Sequence, residues 1–529
     1  MRMSARLAVR ELSNEDRQIY DRVVPEDSLL RAALELIDWK AFEPELKKRY
    51  KRSEAGPSDT VGQAGQPPYP PLILFKMEFL RYLYGLSNRQ LVRRCQTDLE
   101  LKYFLQLPVE AILPDQSTCT CFRKRIGVEC FQKLFDLLVA QAREHGLVKD
   151  KLRLKDATHV LADIAIPTTL HLLAQLRDRM LSAVKLFDPK AAESFRIDME
   201  VIRKESDNDN VQSKLEKRLG LVEDILQWII ECPRPDDAAE NKDWRKLQAV
   251  RELAEKIFGD VVNQSGGGKT LSVADPDARR GKHGDFYEGY LLDVMMDADS
   301  EIITGLDLLP ANANEAGNAA SLIEHEEQVH GNDIEQLSID GIGFNGEVLR
   351  TLSDPEGLDV DVTTPPRDFN TSKGFESEEF EVIDDGERVK CPAGEVSRKA
   401  SVKKNKPNTK FYTFAAGKCA ACPLLAQCHP NMKPGSKTGR QVSKNEYEKE
   451  YAAARAKATT PEYAEVRRRH PAIERKLNEL VRHHRARRAV FRGQARVKIQ
   501  QLMTGLVVNV KRMVKLMGIP RAELQLSAI

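Results

Sequence analysis

The sequence predicts an α/β chain: a mixed-sheet core preceded by an all-α unit and interrupted by a helical insertion and a small Cys-rich insert. Three observations lead there. Short apolar runs that alternate with polar residues occur at Leu152-Arg153-Leu154-Lys155-Asp156 and Glu335-Gln336-Leu337-Ser338-Ile339-Asp340, and each closes on an aspartate. Such alternation is the mark of a strand with one buried face. Helical spacing with capping residues dominates residues 1–147 and again 169–258. Four cysteines, Cys391, Cys419, Cys422 and Cys428, cluster beyond those strands.

Composition bounds what these elements build. A chain of 529 residues holds more than one domain. At 41% hydrophobic and 31% charged it forms a core, and wholesale disorder is excluded. No apolar run has the length of a membrane helix, and the polar N-terminus lacks a signal-peptide core. Nine cysteines in a chain this long argue for a reducing compartment rather than a secreted disulfide scaffold. A cytoplasmic protein is expected.

In the first unit (1–147), Pro70-Pro71 precede a helix over Leu72 to Tyr84, which Gly85 ends. Ser87 and Gln90 make a capping-box pattern for a second helix through Cys95. Asp98 caps a third, Leu99 to Leu105, and Asp115, Ser117 and Thr118 open a fourth that carries Arg123, Lys124 and Arg125. Short capped helices ending in a basic one match a helix-turn-helix DNA reader, and a plain helical bundle fits the same periodicity. Cys95, Cys119, Cys121 and Cys130 read as packing residues.

The core is assigned to 148–168 and 259–365, around a helical insertion at 169–258. Gly266-Gly267-Gly268-Lys269-Thr270 resembles the end of a P-loop, but position 263, where the first glycine belongs, is Asn263; the stretch reads as a flexible connector. Two paired strands, Gly289 to Met296 and Glu301 to Leu309, turn at Asp297-Ala298-Asp299-Ser300. A helix from about Glu315 to His330 leads to the strand of Asp340. The Cys-rich insert covers 366–440, and basic C-terminal helices over 441–529, with Glu474 among them, complete the core.

Charge is distributed unevenly. Residues 293–389 hold 25 Asp/Glu against 4 Lys/Arg, whereas 431–517 hold 22 Lys/Arg against 7 Asp/Glu. A solvated face accounts for either run alone. A glutamate embedded in cations is better explained by a polyanionic substrate, whose phosphates Lys and Arg neutralise. The acidic stretch offers an intramolecular counter-surface when DNA is absent. Two strand-end aspartates and a helix glutamate together make an all-oxygen set suited to hard divalent cations.

The order of strand with Asp156, insertion, strand, strand, helix, strand with Asp340 and helix with Glu474 is the ribonuclease H-like layout of DDE nucleotidyl transferases. The residues also resemble bacterial insertion-sequence DDE transposases. Pro67-Pro68-Tyr69-Pro70-Pro71 and the helices to Gly127 are similar to the family's N-terminal DNA-binding domain. Asp156-Ala157-Thr158-His159-Val160 and Asp275-Pro276-Asp277-Ala278-Arg279 are similar to its first-aspartate block and the lead into its second strand. Arg469 to Glu474, Arg487, Arg488, Arg492-Gly493-Gln494 and Asn509-Val510-Lys511-Arg512 are similar to its final helices.

This resemblance implies that Asp156, Asp340 and Glu474 are the catalytic triad and hold Mg²⁺ or Mn²⁺. It also implies terminal inverted repeats and target DNA as partners, a homo-oligomer on DNA, and a nucleoid-associated protein. Arg469 matches an arginine that contacts a DNA-end phosphate. Beyond the glutamate, where relatives carry a cation two turns on, position 481 is Val481 and the cation is Arg482. Asp340 is followed by Gly341-Ile342-Gly343-Phe344, whereas relatives place a cation and an aromatic residue closer. Asp275 and Asp277 compete for the second acid, and Asp163 and His159 read as surface, packing or rim residues.

Cys419-Ala420-Ala421-Cys422 has the spacing of a zinc-chelating turn, and Cys391 and Cys428 would complete four thiolates for Zn²⁺. The 27 residues between Cys391 and Cys419 exceed common ribbon spacings, which leaves ordinary loop cysteines as the other reading. The function expected is a transposase that cuts and joins DNA strands. A transposase-derived DNA-binding protein without catalysis, or a host nuclease on the same fold, fits the same residues.

Overall fold

The computed structural model describes residues 11–50, 69–263, 268–367, 374–433 and 435–518. Pro67-Pro68 and most of the glycine run before Lys269 lie outside them. The N-terminal region is helical: α1 (Asn14–Val23), α2 (Leu29–Leu36), α3 (Glu43–Lys48), α4 (Pro71–Leu83), α5 (Asn88–Thr97), α6 (Leu99–Leu105) and α7 (Gln116–Glu144). Local chemistry fixes the starts. Ser87 and Gln90 form a reciprocal capping box, and Asp98 and Asp115 accept from the first free N–H groups of α6 and α7. Gly127, at φ 72°, interrupts α7; only glycine adopts that conformation without Cβ strain. Cys95, Cys119 and Cys130 are buried, but Cys121 is exposed and so is not the packing residue its sequence context suggests.

The sheet pairs strands in the order β2-β3-β1-β5-β6, with β4 also on β3. Its members are β1 (Leu152–Leu161), β2 (Arg279–His283), β3 (Asp285–Asp297), β4 (Ile303–Pro310), β5 (Gln336–Ser338) and β6 (Asp361–Thr363). β1 runs antiparallel to β3 and parallel to β5, so the sheet is mixed. The helix between β4 and β5 starts later than its periodicity suggests, at Ala319, and ends at His330.

One face of β1 carries Leu152, Leu154 and Val160 into the main core. The other face carries Arg153 and Lys155, both buried and both paired. Arg153 meets Glu326 at 2.6 Å and Asp297 at 3.3 Å, and Lys155 meets Asp293 at 2.7 Å. Buried charges persist only when matched in this way.

C-terminal to the sheet come α15 (Pro461–Arg469), α16 (Pro471–His483) and α17 (Gln494–Leu516), preceded by α14 (Glu448–Lys457). The remaining helices, in chain order, are α8 (Thr169–Val184), α9 (Pro189–Glu205), α10 (Val211–Glu231) and α11 (Lys242–Val262) of the insertion, α12 (Ala319–His330) and α13 (Gly346–Leu352). Fifteen residues of α17 are buried, and it packs against α4, α7 and β4. The N-terminal helices therefore share one hydrophobic cluster with the sheet rather than closing a core of their own. By contrast, α8 to α11 enclose a separate cluster built on Leu176, Met180, Ile225 and Leu247.

The Cys-rich segment adds a hairpin, β7 (Glu381–Ile383) with β8 (Arg388–Lys390), and a small sheet, β9 (Ser401–Lys403), β10 (Lys406–Thr413) and β11 (Gln441–Asn445). Among the described residues, its buried hydrophobic core consists of Phe380, Val389, Tyr412, Phe414 and Val442.

Candidate functional site

The pairing of β1 with β5 brings the two aspartates near each other. β1 pairs with β5 as Leu152 to Gln336, Arg153 to Leu337 and Leu154 to Ser338. β5 ends at Ser338, and Asp340 follows two residues later as the cap of a 3-10 turn, close enough to Asp156, two residues past Leu154 on β1, for its charge to act on that carboxyl. Asp156 accepts from the Ala157 N–H at 2.8 Å. Asp340 caps a single 3-10 turn by accepting from the Ile342 N–H at 3.0 Å, while its carbonyl accepts from the Thr364 hydroxyl at 2.7 Å. Both aspartates are half-buried.

The helix acid comes from the opposite side of the chain. His470, which starts α16, sits with Nδ1 3.0 Å from the Ser338 hydroxyl, and Arg467 donates to Ser338 and to the Ile339 carbonyl. Burial, and then Arg467, push the His470 imidazole down to about 4, so it is neutral near pH 7. Beyond α16 the chain returns to β1, where Leu161 exchanges hydrogen bonds with Arg487 and Ala489. α16 thus travels along β1 in the same direction. Glu474 lies four residues past His470, about 6 Å of helix rise or about two strand residues, which is the level of Asp156. Ile473, Leu477 and Leu480 bury against the sheet, and Glu474 stays exposed.

Electrostatics agree with that proximity. Burial pushes the Asp156 carboxyl up to about 6, the Ala157 N–H opposes this, and the charges of Asp340 and Glu474 add to the rise. Glu315, just after β4, belongs to the same neighbourhood and was not singled out from the sequence. Burial raises its carboxyl to about 7, Lys155 opposes, and Asp340, Asp156 and Asp293 add. Lys155 also donates to the Glu315 carbonyl at 2.8 Å, which ties that loop to β1. As the side chains stand, no group of three or more described His, Cys, Asp or Glu could hold a metal ion. The donor set still suits a hard cation: oxygen ligands, two of them half-buried, whose mutual repulsion a cation would relieve.

The competing acids have other partners. Asp275 is fully buried and accepts from the Tyr290 hydroxyl at 2.5 Å. Asp277 accepts from the Gln494 N–H and caps α17. Asp163 pairs with Arg492 at 3.3 Å. His159 packs its ring 4.9 Å from that of Tyr287.

The basic residues divide. Arg123 is buried and engaged by Glu78, with the Phe491 ring 5.2 Å away, so it faces the interior and corrects its reading as a DNA contact. The apolar positions of α7 demand that face, and Arg123 falls on it. Lys124 and Arg125 are exposed, the latter over Tyr50 at 4.6 Å. Arg482 and Arg488 are exposed. Arg487 is half-buried and donates to the His159 carbonyl at 3.0 Å. Arg469 pairs with Asp299, while Glu301 lies near Arg475, Lys476 and Arg512. Part of the acidic stretch therefore does lie against part of the basic one.

All four cysteines of the insert line one pocket with Phe375, Phe380 and Phe414. They are unbonded and half-exposed. Burial first, then Cys419, Cys391 and Cys422, push the Cys428 thiol up against the opposing Arg440. The Arg440 N–H points at Cys419 Sγ at 3.4 Å, and a Cβ at Gly439 would stand 2.6 Å from the same sulfur.

Two family models match the chain. One, described as Transposase domain (DUF772), covers residues 18–125. The other, described as Transposase DDE domain, covers residues 390–514. Both are transposase models, and together they support an insertion-sequence DDE transposase. The second match spans Glu474 and the cysteine pocket of this transposase, whereas Asp156 and Asp340 lie outside both. Comparison with curated proteins and with solved structures gave no match. No helix of the described residues is long and apolar enough to cross a membrane.

Proposed function

We propose that this transposase binds terminal inverted repeats and catalyses metal-dependent DNA strand cleavage and strand transfer, with Asp156, Asp340 and Glu474 as its catalytic acids on a ribonuclease H-like core. What supports the reading is that Asp340, just past the end of β5, and Glu474, on α16, both lie close enough to Asp156 for their charges to raise its carboxyl. When bound, Mg²⁺ or Mn²⁺ supplies activation of water and neutralisation of charge at the scissile phosphate. The protein's own work is positional. The pairing of β1 with β3 holds Asp156, the Ile342 N–H and the Thr364 hydroxyl hold Asp340 and its turn, and Ser338 with His470 and Arg467 fixes the start of α16.

Exposed Lys124, Arg125, Arg482 and Arg488, with Arg469 and Arg487, offer cations for DNA phosphates. A homo-oligomer on DNA in the nucleoid is part of the same reading. For the insert we propose Zn²⁺ at Cys391, Cys419, Cys422 and Cys428. Five buried side chains are a small core for a segment this long, and such segments ordinarily need a metal or disulfide staple. Zinc content by mass spectrometry of purified wild type against Cys419→Ser tests this; equal zinc in both removes the site.

For the function, labelled inverted-repeat DNA and Mg²⁺ give the deciding comparison. Asp156→Asn should bind the DNA as wild type does and fail to cut it. Equal loss of binding and cutting would make Asp156 structural. Wild-type binding without cleavage would instead support the non-catalytic reading.

A further inference from the structure

We infer that Phe286, at the tip of the β2–β3 hairpin, is a stacking platform for an unpaired nucleobase of the DNA. The inference rests on the proposed function and adds a contact to it. A single exposed apolar side chain is ordinary on a protein surface. Phe286 differs in degree: it is 69% exposed, and no other described Phe or Trp is exposed.

The hairpin presents the ring deliberately. Leu161, the last residue of β1, pairs with Gly289, and the Ala162 N–H still donates to the Glu288 carbonyl at 3.0 Å, so residues 285–287 of β3 overhang the sheet and pair with β2. His283 and Asp285 are direct partners, which leaves Gly284 alone at the turn, with φ 74°. Gly281 meets the Ala311 carbonyl so closely that a Cβ there would stand 2.3 Å from it, which seats the hairpin base against the end of β4. The arm is therefore short, anchored at its root and free at its tip.

Its surroundings suit nucleic acid. Lys282 Nζ lies 5.6 Å from the Phe286 ring centroid, near enough for a cation–π contact and for a neighbouring phosphate. Across the end of β1 run Arg487, Arg488 and Arg492. Tyr287, the next residue, packs on His159, three residues beyond Asp156 on the same strand. The hairpin thus projects past the end of β1 that lies C-terminal to Asp156. A duplex covers both faces of each base, so a side-chain ring reaches a base face only at an end or an opened step. Cutting a strand creates such a place.

Binding to a blunt duplex and to the same duplex with a short single-stranded overhang, measured without divalent cation, tests the idea. Wild type should prefer the overhang, and Phe286→Ala should lose that preference by roughly tenfold while holding the blunt duplex equally well. Phe286→Trp should keep the preference, and its added fluorescence should be quenched by the overhang alone. A preference retained in Phe286→Ala, or Phe286→Trp emission that ignores the overhang, overturns the inference and leaves the catalytic reading standing. Failure of wild type to bind either duplex overturns both.

Discussion

Asp156 stands on β1 and Asp340 just past the end of its parallel neighbour β5, while Glu474 stands on a helix packed against β1, and the two halves are held by different forces. The strand half is set by a backbone ladder and by buried side chains on both faces of β1. Its acid pays in desolvation, which is why Asp156 titrates near 6. The helix half is set by a few side-chain contacts, Ser338 with His470 and Arg467, and by the apolar stripe of α16. Its acid remains in solvent. Backbone pairing thus holds the strand half, whereas side-chain contacts and a buried stripe hold the helix half.

Glu474→Gln attacks the helix half most directly. Cleavage should fall at least about a hundredfold, beyond the loss typical of groups that merely support a ligand, with DNA affinity preserved. A rate near wild type would show that the strand half suffices alone.

Asp156→Asn probes the strand half through stability as well as activity. The folded carboxyl titrates at about 6 against 3.8 unfolded, so the folded state holds more protons between those values. Stability is therefore full below the lower value and falls as pH rises through the upper one. The variant should gain about 3 kcal/mol over wild type above that window and nothing below it, in chelated buffer. Urea melts across pH that show no crossover would mean that the carboxyl carries no desolvation cost.

A smaller effect is expected where the halves join. Ser338→Ala removes the hydroxyl shared by His470 and Arg467, and should cost about tenfold in cleavage and about 1 kcal/mol in stability. If only stability changes, the helix start does not position Glu474.

Least affected should be Arg469→Ala. Its pairing with Asp299 is partly exposed and contributes less than about 1 kcal/mol. DNA binding should weaken modestly, and the salt slope should decrease by about one. An unchanged slope would take Arg469 off the phosphate path.

Much of the fold was legible locally. Ser87 with Gln90, Asp98 and Asp115 announce their helices because a cap's partners lie two or three residues away. The strands ending near Asp156 and Asp340 show in alternation because side-chain direction has period two. Arg123 was misread for the converse reason: its ion-pair partner, Glu78, is 45 residues distant, and a helix's basic residue looks alike whether it faces DNA or a buried carboxylate. Glu315 carried no signal at all, since nothing near it in sequence reveals Lys155 or Asp156.

By itself, then, the sequence determined the element types, the positions of the caps, the acids available and the clustering of the cysteines. Tertiary structure alone decided that α17 joins the N-terminal helices and the sheet in one core, and that Asp340 and Glu474 come close to Asp156. It also decided that Arg123 turns inward and that Phe286 is left exposed on an overhanging arm. The division follows from range. Caps and periodicity are contacts within a turn or two, whereas register, shared burial and ion pairing join residues that only the folded chain brings together.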